Sequence, residues 1–241
     1  MYDLSSFSQA NAAECGNGLQ AAASGAGSME DAANRIVSHL YDNLTDPQTG
    51  ARSCALVRFY KTHPYTQLDS GLQEFARGIL GGVPDSPNLN CLTMLATTGD
   101  QPAWNSRAQS QGHKAIPLAS EQMVAGIPMI ARLLGQFGLD VNSVMQPDPS
   151  RISDMAGREY DTFYVPDAQG SPYIPAQDEF VIPFGIRSVL AFGGVLGSGE
   201  LYVVIMFSKV AIPQQTADNF KAVAPGVKAA VQGFVGGKVF A

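Results

Sequence analysis

Apolar positions recur along this chain with two different periods, and each change of period marks a new element. From Ser28 the period is helical: Met29, Ala32, Ala33, Ile36, Val37, Leu40 and Leu44 fall on one face, and Ser28 with Asp31 supplies a capping start. The turn residues Asp46-Pro47-Gln48-Thr49-Gly50 end that helix. Residues 54–60 form a short apolar and aromatic run that predicts a strand. A helix over 70–80 follows, capped by Asp69 or Ser70, with Leu72, Phe75, Ala76 and Ile79 inward and Gly81-Gly82-Val83-Pro84 as its stop. Residues 91–97 predict a second strand, and 99–114 form a polar loop that holds the single tryptophan.

A helix capped by Ser120 runs to about Phe137, with Val124, Ile127, Ile130, Ala131 and Leu134 inward and Pro128 kinking or splitting it. Residues 146–157 read as loop, 162–165 as a short strand, and a Pro- and Gly-rich connection follows. Residues 186–194 and 200–208 are two strong strands joined by Leu196-Gly197-Ser198-Gly199, an antiparallel hairpin in the centre of a sheet. Residues 214–235 make a closing helix on Phe220, Val223, Val227, Val231 and Val235, weakened at Pro225-Gly226. Residues 1–27 are rich in Ala, Gly, Ser and Asn, and form either a weak helix around 10–23 or a mobile lead. The domain proper is therefore 28–241, with 1–27 as an N-terminal extension.

The order of these elements resembles that of a GAF domain. Gly185-Ile186-Arg187-Ser188-Val189-Leu190, the Gly-rich turn, the run from Leu201 to Ser208, then Ile212-Pro213 and a helix look like that family's closing pattern. Residues 54–65 and 181–213 are also similar to N-terminal regions of bacterial histidine kinases and related regulators. The resemblance implies an α/β (α+β) fold with a GAF/PAS-like central antiparallel sheet flanked by helices. It further implies a sensor domain of a two-component system that binds a small molecule or prosthetic group between sheet and helices, works as a homodimer, and passes its signal to a C-terminal output domain. The chain departs from two branches of the family: it has neither the Cys-His pair of bilin-binding photoreceptors nor the Asn-Lys stretch expected of cyclic-nucleotide binders.

Charge and composition narrow the partners. Net charge is −6 with no basic run, which excludes a groove that tracks a nucleic-acid backbone. No stretch is long and apolar enough to span a membrane, and the N-terminus lacks the pattern of a secretory signal, so a cytoplasmic location without membrane contact is expected. Charged residues are only 15% of the chain, so a partner chain is expected to cover some apolar surface. Cys15, Cys54 and Cys91 are too few and too separated for a disulfide framework.

The candidate ligand-binding residues are His63, Tyr65, Cys91, Trp104, Arg107, His113, Tyr164 and Arg187. His63 closes the first strand and His113 follows the tryptophan loop, so either neutral imidazole is a possible axial ligand if haem is bound. A lone histidine more often hydrogen-bonds backbone. Cys54 and Cys91 open neighbouring strands and, if close, would suit a soft metal or a redox pair; a lone strand cysteine is more often a small buried hydrophobe. Arg107 and Arg187 have the forked donors that grip a carboxylate, although most arginines make structural hydrogen bonds. The glycines at 193–199 fit a hairpin turn, since no helix follows them. No nucleophile elbow, zinc-protease motif or phosphate loop occurs, so no catalysis is expected. Three classes of function remain: ligand sensing, favoured, with a site at residues 99–180; ligand-free dimerisation or protein docking; and a cysteine-based enzyme.

Overall fold

In the computed structural model, which describes residues 1–241, strands β1 (Cys54–Pro64) and β6 (Leu201–Ser208) pair antiparallel at the centre of one sheet. Helices cover both faces of these two strands, which is why β6 and the first half of β1 read as apolar runs in place of a clean alternation. Flanking them are β2 (Asn90–Gly99) and β3 (Ala115–Pro117) on one side, β5 (Ser188–Val195) and β4 (Phe163–Val165) on the other. The order is β3-β2-β1-β6-β5-β4, and every neighbouring pair is antiparallel. This is a mixed α+β fold with a six-stranded antiparallel sheet flanked by helices, the sheet architecture expected.

One face carries three helical elements. Helix α2 (Met29–Asn43) lies on β1 and β2, with Ser28 Oγ accepting the Asp31 N–H at 3.1 Å as its cap. Helix α1 (Gln9–Ala23) packs against α2 and against the closing helix. The N-terminal segment is thus ordered: Ala12, Cys15, Leu19 and Ala23 enter the same core as the sheet. The closing helix is broken as its Pro225-Gly226 pair predicts, into α8 (Gln214–Asn219), a 3-10 turn (Phe220–Ala222) and α9 (Ala224–Gln232). A Cβ on Gly226 would lie 2.6 Å from the Gly16 backbone, so α1 and α9 cross at glycine contact.

The other face is covered by short pieces. Pro128 splits the predicted helix into α4 (Glu121–Ala125) and α5 (Pro128–Gln136), and α6 (Val141–Met145) and α7 (Ile152–Gly157) complete the layer. Residues 146–157, expected as loop, contain α7, and the Pro-rich connection contains a π-helical turn at Gln177–Val181. Helix α3 (Ser70–Leu80), capped by Asp69, closes a small third core with Tyr65, Cys91 and Ala115. No helix is long and apolar enough to cross a membrane.

Candidate functional site

Four of the eight sequence candidates converge, and they do so around a side chain that the sequence did not single out. Phe240 sits between His63, whose ring centre is 5.3 Å away, and the Arg107 guanidinium, 5.3 Å from the Phe240 ring centre. It also packs on the small core that contains Tyr65 and Cys91. Arg107 is held by the Glu30 carboxylate at 2.9 Å and by Asp69 at 3.1 Å, so its fork is already spent on protein partners. The same strap of chain is tied to α2 through backbone: Met29 N–H donates to Lys238 O, Glu30 N–H to Val239 O, and Ala241 N–H to Glu30 Oε2. This cluster is a latch for the tail, filled by Phe240.

His63 is 3% exposed, its Nδ1 is 3.0 Å from Lys61 Nζ, and Phe240 covers its edge. Burial first, and then the Lys61 ammonium, pull its pKa down to about 4. Such a ring keeps the neutral form, but its Nδ1 and its flank are taken and the side chain is buried, so it offers no open side to a porphyrin. His113 lies on the exposed loop that leads into β3, with φ 60°. Partial burial and then the nearby Arg58 guanidinium lower its pKa. The pair does not fit a haem site.

The two strand cysteines do not meet. The antiparallel register sets Cys91 opposite His63 and Cys54 opposite Ser208, at opposite ends of the ladder. Burial pushes Cys15, Cys54 and Cys91 up to about 12 each, the reverse of what a thiolate nucleophile or redox pair requires.

The remaining candidates are dispersed. Trp104 lies on the opposite face, packed on Phe184 and Phe180 at ring separations of 4.5 and 5.5 Å, and Phe180 in turn meets Phe207. Tyr164 donates its hydroxyl hydrogen to Ile212 O near the β4 edge, and Arg187 is exposed. Between the sheet and the helices at 99–180, where a ligand was expected, lies a cavity of about 20 Å³ lined only by apolar residues, among them Leu92, Leu133 and Ile205. It is the size of a single water, with no polar partner to hold one. Sequence reading also missed Arg58 on this face, whose buried Nε has no hydrogen-bond partner.

A larger volume lies at the β5 edge. Strand β4 pairs with only Val189, Leu190 and Ala191, so beyond Ala191 the outer edge of β5 has no strand beside it. A cleft of about 410 Å³ opens there between the 156–160 segment, Gly193 and Gly194, and the Ala222–Lys228 stretch. That volume lies in the range of small-molecule sites. Close packing requires glycine at both positions: a Cβ on Gly194 would press on Tyr160 and the Tyr202 hydroxyl at 3.2 Å, and one on Gly193 would collide with Tyr202 O on the paired strand. Tyr160 and Tyr202 are buried and fixed by hydrogen bonds to Met155 O and Ala224 O. Arg158, Lys221 and Lys228 line the cleft against one lining carboxylate, Glu159. The sequence signal was weak, since three cations from two segments 63 or more residues apart form no run.

No protein-family profile and no curated protein matches this chain. Among solved structures it is similar to the phycoerythrobilin-bound GAF domain from a cyanobacterial phytochrome, at 9% identity and a TM-score of 0.39, over 94% of this chain and 96% of that one.

Proposed function

We propose that this chain is a non-catalytic, signal-sensing input domain of a bacterial signal-transduction protein such as a histidine kinase, acting in the cytoplasm as a homodimer and reading a small molecule in the β5-edge cleft. The observation that supports it is the position of α9. Pro225 and Lys228 of that helix form a wall of the cleft. The chain then runs directly from α9 into the tail that ties down Met29 and Glu30 at the start of α2. A ligand that prefers one placement of α9 shifts the population of the latched tail, and a coupling of about 1–3 kcal/mol is ordinary for two such sites.

Two measurements test this. Denaturing mass spectrometry of freshly purified protein, and of protein incubated with a cell extract, shows whether a stoichiometric small molecule is carried. Hydrogen exchange with and without that molecule shows whether protection changes at the cleft and at Met29 and Glu30 together. A protein that carries nothing and changes nothing, yet dimerises, is an interaction domain and not a sensor.

A further inference from the structure

We infer that the β5-edge cleft takes an anionic small molecule, and that its carboxylate or phosphate is received by Lys228 and Arg158 above the Gly193-Gly194 backbone. The inference rests on the reading of the cleft as a ligand site and adds the chemical class of its occupant.

The cations around the cleft are unequally committed. Lys221 is paired with Asp161 at 2.9 Å. Lys228, half-buried on α9, has a single hydrogen-bond acceptor, the carbonyl oxygen of Ala156, and no carboxylate within ion-pair distance. An ammonium has three donors, so Lys228 retains capacity for an anion. Burial pulls its pKa below the ordinary lysine range, a cost that a bound anion would offset. Arg158 is likewise without a carboxylate partner, and its guanidinium lies 5.8 Å from the centre of the Tyr160 ring. Glu159, the one lining carboxylate, is exposed and forms no ion pair.

This local excess stands out in a chain of net charge −6. The sheet edge adds a second feature: β4 ends opposite Ala191, so the backbone of β5 at Gly193 and Gly194 has no strand beside it and lines the cleft. The buried tyrosine rings supply an apolar wall for the rest of the molecule. The pattern sets a group of charged side chains beside an apolar wall.

The experiment compares three probes on the full chain by amide NMR shifts at constant ionic strength: benzoate, its neutral isostere benzamide, and inorganic phosphate. Saturable shifts at Gly193, Gly194 and residues 156–160 are expected with benzoate or phosphate. Affinity should be at least about tenfold above benzamide, with a loss of about tenfold in Lys228→Gln and a smaller loss in Arg158→Gln. Gln keeps a donor for Ala156 O, so the Lys228 variant retains the fold, and its unperturbed spectrum elsewhere verifies this. Equal binding of benzoate and benzamide overturns the anion inference while leaving the cleft a ligand site. Undiminished binding in Lys228→Gln, or no saturable shift with any probe, also overturns it, and the mass-spectrometric test then decides the sensor reading on its own.

Discussion

Lys61 Nζ lies 2.6 Å from Glu200 Oε1, with 1% of the lysine side chain and 21% of the glutamate side chain exposed. Burial pulls the Lys61 pKa down and the carboxylate works against that fall. Glu200 closes the β5–β6 turn, so the pair fastens that hairpin to the far end of β1. Glu200→Ala leaves a buried cation with no counter-charge and should destabilise by about 3 kcal/mol, the low end for breaking a buried pair, because the carboxylate keeps some solvent. Lys61→Met should cost less, since Glu200 can turn to water. Urea unfolding of both variants measures the difference, and equal losses would refute this account.

His63 gives the fold an acid limit. Its folded pKa of about 4 is below the unfolded value near 6.5, so between these pH values the unfolded chain binds the extra proton. Stability is whole above about pH 6.5 and falls as the pH drops toward 4, by at most about 3 kcal/mol. His63→Gln should flatten this part of the stability profile measured by urea unfolding at a series of pH values. A profile with unchanged slope in the variant would show that other groups set it.

The helix crossing at Gly16 and Gly226 is unequal on its two sides. A Cβ at 226 meets Gly16 Cα and O at 2.6 Å, whereas one at 16 meets its nearest neighbours at ordinary distances of 3.8 and 3.9 Å. Gly226→Ala should therefore cost about 1–3 kcal/mol through overpacking, while Gly16→Ala is close to neutral or better. Thermal unfolding of both, with Gly233→Ala as an uncrowded control, reads the asymmetry.

Phe240→Ala should loosen the tail without unfolding the domain, because Phe240 is only partly buried against the core. Exchange at the Met29 and Glu30 amides, whose acceptors are Lys238 O and Val239 O, is expected to rise about tenfold or more while the β6 amides stay protected. Protection unchanged at both helix amides would mean that the tail is held by backbone alone.

What the sequence disclosed follows what each element has to bury. The hairpin strands, α2 and α3 were legible because large apolar residues repeat at the right period and Ser28 and Asp69 mark the helix starts. Helix α1 was ambiguous because what it buries is mostly small, Ala12, Cys15, Gly16 and Ala23 beside a single Leu19, and this leaves a faint stripe. The end of β1 was cut short because Lys61, Thr62 and His63 are polar, yet all three are buried through their partners. Site residues were the least legible: Lys228 and Arg158 meet only through the fold, and the tail residue Phe240 fills the space where His63 and Arg107 looked available.

The placement of β1 beside β6 also sets a schedule for folding. Thr62 Oγ1 accepts from the Leu201 N–H across 139 positions of chain. On a ribosome β1 and β2 emerge first as a ladder with one open central edge, and that edge stays unpaired until the last strand is made. Folding of this domain should thus be slow for its size and complete only once β6 has been made. During that wait, the exposed flank of β1 is the surface most in need of a chaperone.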